Sequence, residues 1–408
     1  MSPLRQLVSK TNRLGKGGVT MNTPEIRFKG YTLPWVQRKL GEVFEQTTEF
    51  VNPKEADIEL WSLTVESGLT PKTERYNREF LVKKEDAFKV VSPGEFIYNP
   101  MNMTLGATDL NTTGKKVAVS GYYITMRTNK EHCKEYFSVW LKSPKAIKSY
   151  KLYATGGLTE KQRVQFPTLS NIETSMPSLP EQTAIGSFFR TLDTTITLHQ
   201  CKLDGLRKLK KAYLQQMFPQ DGERVPRVRF AGFSGEWKDR KIGDIFQVTR
   251  GQVLAAPRVS AAKDSRNIYP VYSSQTKNNG LLGYYNDFLF DTAITWTTDG
   301  ANAGTVNFRK GKFYSTNVNG VLLSQDGYAN PCVAEALNMI AWKYVSKVGN
   351  PKLMNNIMAE IVIILPSVAE QIVIGSFFCN LDKQINAQSQ KLEQLKQLKS
   401  AYLQKMFI

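Results

Sequence analysis

Two stretches of this chain occur twice. From Glu181, EQTAIGSFFRTLDTTITLHQCKLDGLRKLKKAYLQQMF runs to Phe218, and from Glu370, EQIVIGSFFCNLDKQINAQSQKLEQLKQLKSAYLQKMF runs to Phe407. A second echo joins PEIRFKGYTLPWVQRKLGEVF, from Pro24, to PRVRFAGFSGEWKDRKIGDIF, from Pro226. The long segments between the echoes differ from each other. Such a layout predicts a shared frame, built twice, that carries two unlike inserts at a fixed separation.

The tail repeats carry a 4-3 spacing of seam residues. In the first copy the seam is Ile185, Phe189, Leu192, Ile196, His199, Leu203, Leu206, Lys210, Tyr213 and Met217. In the second it is Ile374, Phe378, Leu381, Ile385, Gln388, Leu392, Leu395, Lys399, Tyr402 and Met406. A heptad held this long predicts a helix of about 35 residues, roughly 50 Å, in each copy. Pro180 and Pro366 suit helix starts, Pro219 a stop, and Gly205 costs only about 1 kcal/mol in a helix interior. A half-apolar helix needs a partner. The simplest is the other copy, as an antiparallel intramolecular coiled coil with the inserts at opposite ends of a rod; an intermolecular coiled coil is the alternative. The polar seam positions, His199 with Gln388 and Lys210 with Lys399, are expected to help set register.

A chain of 408 residues predicts two or more domains, and 41% hydrophobic content is enough for packed cores. No apolar run reaches the length of a spanning helix, and Ile361 to Leu365 reads as a buried strand. Residues 1–20 are expected to be a flexible extension, with no secretory signal. Cys133, Cys201, Cys332 and Cys379 lack paired or metal-like spacing, so reduced thiols in a cytoplasmic protein are expected, with no metal site. The formal net charge of +18 attracts a polyanion, nucleic acid first.

Insert one runs from Leu40 to Leu169 and insert two from Ile242 to Leu365. Strands are expected at Glu59–Val65, Val90–Tyr98, Lys116–Val119 and Tyr122–Arg127, then at Tyr269–Ser273, Phe288–Thr297, Gly304–Arg309 and Val321–Leu323. Helices are expected at Cys133–Leu141 and Val333–Tyr344. The fold class is mixed α/β, with divisions at 21–169, 170–220, 221–366 and 367–408. Amides, hydroxyls and basic groups cluster in the polar loops, where Asn and Gln suit adenine, Arg and Lys suit guanine, and lysines hold phosphates. In insert one the candidates are Lys72, Thr73, Arg75, Arg78, Asn102, Asn111, Thr112, Lys115 and Lys116. In insert two they are Ser274, Gln275, Thr276, Lys277, Asn278, Asn279, Thr297, Thr298, Asn302, Arg309, Lys310 and Lys312. Any one Asn, Thr or Gly is equally explained as a turn former. Trp35 and Trp237, equivalent in the duplicated segment, are read as anchors of insert to frame.

No P-loop, HExxH or GxSxG pattern is present, so catalysis by this chain is not expected. Several phrases resemble the specificity subunits of type I restriction-modification enzymes: SLTVESGLTPKTERYNREFL from Ser62, YPVYSSQTKNNGLLGYY from Tyr269, ITWTTDGANAGTVNFRKGKFY from Ile294, and the tails LPEQTAIGSFF at Leu179 and VAEQIVIGSFF at Val368. The likeness covers nearly everything from Met21 to Ile408. The resemblance implies two target recognition domains, each reading one half of a split, asymmetric DNA sequence, with the helices as spacers. It implies duplex DNA, two modification subunits and two restriction subunits as partners. S-adenosylmethionine, ATP and Mg would then serve those partners, with no cofactor held by this chain. A basic scaffold for RNA or protein is the alternative.

Overall fold

The computed structural model describes residues 7–9, 23–72, 88–156, 162–275 and 277–408. The chain divides into two compact units, Met1–His199 with Lys391–Ile408, and Gln200–Gln390. The division cuts through the helices, which differs from the expected breaks at 170–220 and 367–408. The cause is packing: half of each helix belongs to each unit's core.

The two tail repeats form single α-helices, Leu179–Met217 and Val368–Lys405. Along the seam Ile185, Phe189, Leu192, Leu203, Ile374, Phe378, Leu381 and Leu392 are buried. Ile196, Leu206, Tyr213, Ile385, Leu395 and Tyr402 are half-buried. In the first unit Phe188 meets Tyr402 edge-on at 5.1 Å and Phe189 stacks on Phe407 at 5.9 Å, so the start of one helix lies on the end of the other. In the second unit Tyr213 meets Phe377 at 4.9 Å and Phe218 meets Phe378 at 6.0 Å, the reverse pairing of ends. The helices therefore pair antiparallel. Each buried aromatic contributes about 1.5–3 kcal/mol.

Lys210 and Lys399 do not pair with each other. Lys210 Nζ lies 2.7 Å from Glu335 and 2.8 Å from Asp382, and Lys399 Nζ lies 2.5 Å from Asp193. Two lysines facing across a seam would repel. An aspartate at the same position of each repeat takes up each charge instead.

The duplicated entrance segments fold alike. Val36–Lys39 pairs antiparallel with Glu173–Met176, and Lys238–Lys241 pairs with Val362–Leu365. The last strand is not wholly buried as expected: Ile363 and Leu365 point inward while Val362 is exposed, the alternation of a one-sided strand. Trp35 and Trp237 are buried, the first edge-on to Tyr136 and the second edge-on to Phe218, as anchors should be. Within the expected flexible extension, Leu7–Ser9 forms a strand against Ile26–Phe28, which supplies the partner an edge strand needs. Its other residues lie outside the described ones.

The inserts differ. In the first unit a four-stranded antiparallel sheet runs in the order Thr108–Leu110, Phe96–Tyr98, Ile124–Thr128, Phe44–Thr47. Beside it lie a three-stranded sheet of Val117–Ser120, Phe88–Val91 and Phe50–Val51, and the hairpin Trp61–Thr64 with Gly68–Pro71. The expected single strand Val90–Tyr98 is two strands. Pro93 and Gly94 turn the chain between them, with Gly94 at φ +83° and Glu95 N–H donating to Ser92 O. The second unit holds one six-stranded sheet in the order Gln247–Arg250, Asn319–Leu323, Phe290–Thr297, Val306–Ser315, Tyr269–Tyr272, Leu281–Tyr285.

Candidate nucleic-acid interface

The same set of contacts closes the duplicated frame and seats an insert helix on it in each unit. Arg27 forks onto Glu181 through Nε and Nη2 at 2.6 and 2.7 Å, and Arg229 forks onto Glu370 at 2.7 and 2.7 Å. Both glutamates are almost fully buried, so the bidentate geometry is what makes their charge tolerable. Gln182 Oε1 accepts from Cys133 N–H at 2.9 Å, just before the helix Lys134–Trp140. Gln371 Oε1 accepts from Asn330 Nδ2 at 2.8 Å, and Asn330 caps the helix Pro331–Ile340. Gly186 and Gly375 let those helix starts approach: a Cβ on Gly186 would stand 2.7 Å from Tyr136 N, and one on Gly375 3.1 Å from Cys332 N. The repeated EQ and IGSFF were the sequence signal for these groups, and the heptad count passed over it.

In the second unit, strands Phe290–Thr297 and Val306–Ser315 pair with Thr295 opposite Asn307 and Ile294 opposite Phe308. Alternation sorts the faces. Ile294, Trp296 and Val306 enter the core, while Thr295, Thr297, Asn307 and Arg309 line a polar concavity. Loop residues Ser273, Ser274, Gln275, Asn279 and Asn302 complete it, with Thr305 and Asn319. Six expected residues thus meet: Ser274, Gln275, Asn279, Thr297, Asn302 and Arg309. Asn278 and Asn279 both hold the left-handed conformation, φ 50° and 52°, which Asn tolerates better than most residues. Thr298 is a correction. It is buried, and its hydroxyl bonds Val318 O and Asp299, so it shapes the turn rather than facing a ligand. Lys310 and Lys312 are exposed, with Lys312 Nζ 4.4 Å from the Phe288 ring centre. Thr276 and the Lys277 side chain lie outside the described residues. Thr295, Thr305 and Asn307 were missed, although the T-W-T and N-F-R alternation marks a two-faced strand.

Arg309 is the chemical centre of the concavity. Its Nε donates to Thr295 Oγ1 at 3.1 Å, and its guanidinium stands 3.8 Å from the Tyr272 ring centre. Burial lowers its pKa to about 10, still charged at neutral pH.

The first unit presents a looser set. Lys72, Asn102, Thr112, Lys115 and Lys116 are exposed. Lys115 pairs with Glu59, and Lys116 with Glu49 at 3.0 Å. The hydrogen bond from Lys115 holds the Glu59 carboxyl below its ordinary range. Exposed pairs of this kind are screened by solvent and hold their partners weakly. Asn111 is a correction: it is buried, donates to Val91 O and Lys115 O, and accepts from Thr113, so it closes a turn and has no amide edge left for a base. Thr73, Arg75 and Arg78 lie outside the described residues. Among the described residues no group of His, Cys, Asp and Glu is placed to hold a metal, and no helix is long and apolar enough to cross a membrane.

Comparison with known proteins agrees with this architecture. The family model described as "Type I restriction modification DNA specificity domain" matches twice, at residues 32–208 and 234–397. A putative type I specificity subunit N-terminus of Mycoplasma pneumoniae is 42% identical over 127 residues, 30% of this chain and 66% of that protein. A second putative type I specificity subunit of the same organism is 29% identical over 221 residues, 53% of this chain and 84% of that protein. Across three such relatives the match spans 46–66% of their own length. The crystal structure of a type I restriction-modification S subunit from M. genitalium superposes with TM-score 0.70 at 16% identity, covering 95% of this chain and 99% of that one.

Proposed function

The chain belongs to the family of type I restriction-modification DNA specificity domains, matched over both halves of its length, and from that premise we propose that it is the DNA-reading subunit of such a complex. Each unit binds one half of a split, asymmetric duplex sequence. Duplication of the frame carries this reading: the Arg27–Glu181 and Arg229–Glu370 forks, the two Gln contacts and the two close glycines hold unlike sheets in the same way. A protein that reads two different sequences through one assembly needs this arrangement. The net charge of +18 supplies the sequence-independent attraction to phosphate.

The chain performs no bond chemistry in this reading. Two modification subunits dock on the helical frame and transfer a methyl group from S-adenosylmethionine to adenine N6. Two restriction subunits bring ATP-driven translocation and Mg-dependent cleavage. The assembly acts in the cytoplasm, where its DNA lies. The heptads of the long helices set the gap between half-sites. Exchanging the second insert for that of another family member tests the division of labour. Sequencing of methylated bases is expected to show one half-site changed and the other kept; both changing together overturns it.

A further inference from the structure

Two buried arginines, Arg27 and Arg309, and the half-buried Arg229 differ in their partners. Arg27 and Arg229 each meet a buried glutamate, whereas Arg309, 6% exposed, has no carboxylate within ion-pair distance among the described residues. A buried cation without a counter-charge is unfavourable unless hydrogen bonds or a ligand compensate it. Thr295 and the Tyr272 ring hold the guanidinium in place. They occupy only part of its five N–H donors. Its Nη2 lies 3.1 Å from where a Cβ on Gly280 would stand, so that glycine, at φ +83°, leaves the fork room. The surrounding walls are amides and hydroxyls: Gln275, Asn302, Asn307, Asn319 and Thr297. A phosphate cradle would be expected to gather further cations here. The lysines of this strand, Lys310 and Lys312, are instead exposed and absent from the lining.

We propose that Arg309 is the specificity-determining residue of the second unit and reads a guanine, donating to O6 and N7 from the floor of this concavity. The proposal rests on the DNA-reading function proposed above. A planar fork matches the two adjacent acceptors of guanine, and neighbouring amides can donate to or accept from the adjacent base edges. The contact with the Tyr272 ring and the bond to Thr295 reduce the ordering entropy that a free arginine would lose on binding.

The test uses the assembled complex and its methylated motif. The half-site assigned to the second unit by insert exchange is expected to contain a G·C pair; a half-site of A·T pairs alone overturns the proposal. Each guanine in that half-site is then replaced in turn by 7-deazaguanine, which lacks N7, and duplex affinity is measured by fluorescence anisotropy. One position is expected to weaken binding by about 5- to 150-fold. The same replacement is expected to leave the affinity of an Arg309→Met complex unchanged, since the contact is already gone. Uniform weakening of all duplexes by Arg309→Met, with no position singled out in the wild-type scan, identifies a phosphate contact and overturns the proposal. If Arg309→Met fails to fold, the wild-type scan alone decides: no sensitive guanine overturns the proposal. A complex with no half-site preference at all overturns the parent reading and this inference with it.

Discussion

Substituting alanine at three helix glycines separates a packing role from a propensity role. Gly205 has nothing within 4 Å of a new Cβ, so Gly205→Ala gains helix propensity of about 1 kcal/mol and raises stability. Gly186 has the same intrinsic preference but a different neighbourhood. Its Cβ would lie 2.7 Å from Tyr136 N, 2.8 Å from Glu135 C and 2.9 Å from Glu135 Cβ. Backbone cannot swing aside, so the helix Lys134–Trp140 must move away from the frame, at about 1–3 kcal/mol for overpacking, and the propensity gain offsets only part of it. Gly375→Ala falls between, because its nearest contact is 3.1 Å from Cys332 N. Urea unfolding followed by tryptophan fluorescence is expected to give the order Gly205→Ala most stable, then Gly375→Ala, then Gly186→Ala, the last below wild type. Gly186→Ala should also weaken reading of the first half-site. A Gly186→Ala protein as stable as Gly205→Ala refutes the claim that this glycine exists to admit the helix Lys134–Trp140.

Arg27→Met leaves Glu181 buried without its partner and should cost about 3–5 kcal/mol, while Arg27→Met with Glu181→Met recovers much of it; equal losses in the single and double variants, by urea midpoint, contradict a paired role. For Lys210, burial works against the charge, but Glu335 and Asp382 outweigh it and hold its pKa above the ordinary lysine value. The folded state thus binds this proton more tightly than the unfolded one. Its contribution is complete below the unfolded pKa and is lost as pH rises through the folded one, so Lys210→Met should flatten the alkaline decline in stability. Native alkylation followed by mass spectrometry should mark the exposed Cys201 early and Cys332 only on unfolding, since Cys332 is buried and burial pushes its thiol up; equal labelling contradicts the packing of the helix Pro331–Ile340.

The frame was legible in the sequence because repetition and a seven-residue period are long-range signals that turns do not blur. Every apolar seam residue is buried or half-buried. The seam's charges were not legible, because Lys210 and Lys399 find their acids on Asp382 and Asp193, positions that a one-helix pattern does not connect. The inserts were read as loops rich in polar groups, and there the local signal divides. Asn111 and Thr298 are polar because a turn needs them; Thr297 lines the concavity, and Asn302 lines it while also donating to Ser274 O. Composition cannot separate these cases. Strand alternation can, and it would have added Thr295 and Asn307 beside Arg309.

The most direct measurement is single-molecule sequencing of modified bases in DNA from cells that carry this chain with its modification subunits. The expected result is one motif with two defined half-sites, a fixed run of unspecified bases between them, and a methylated adenine in each half. A continuous motif, or half-sites separated by a variable gap, contradicts the two-reader account.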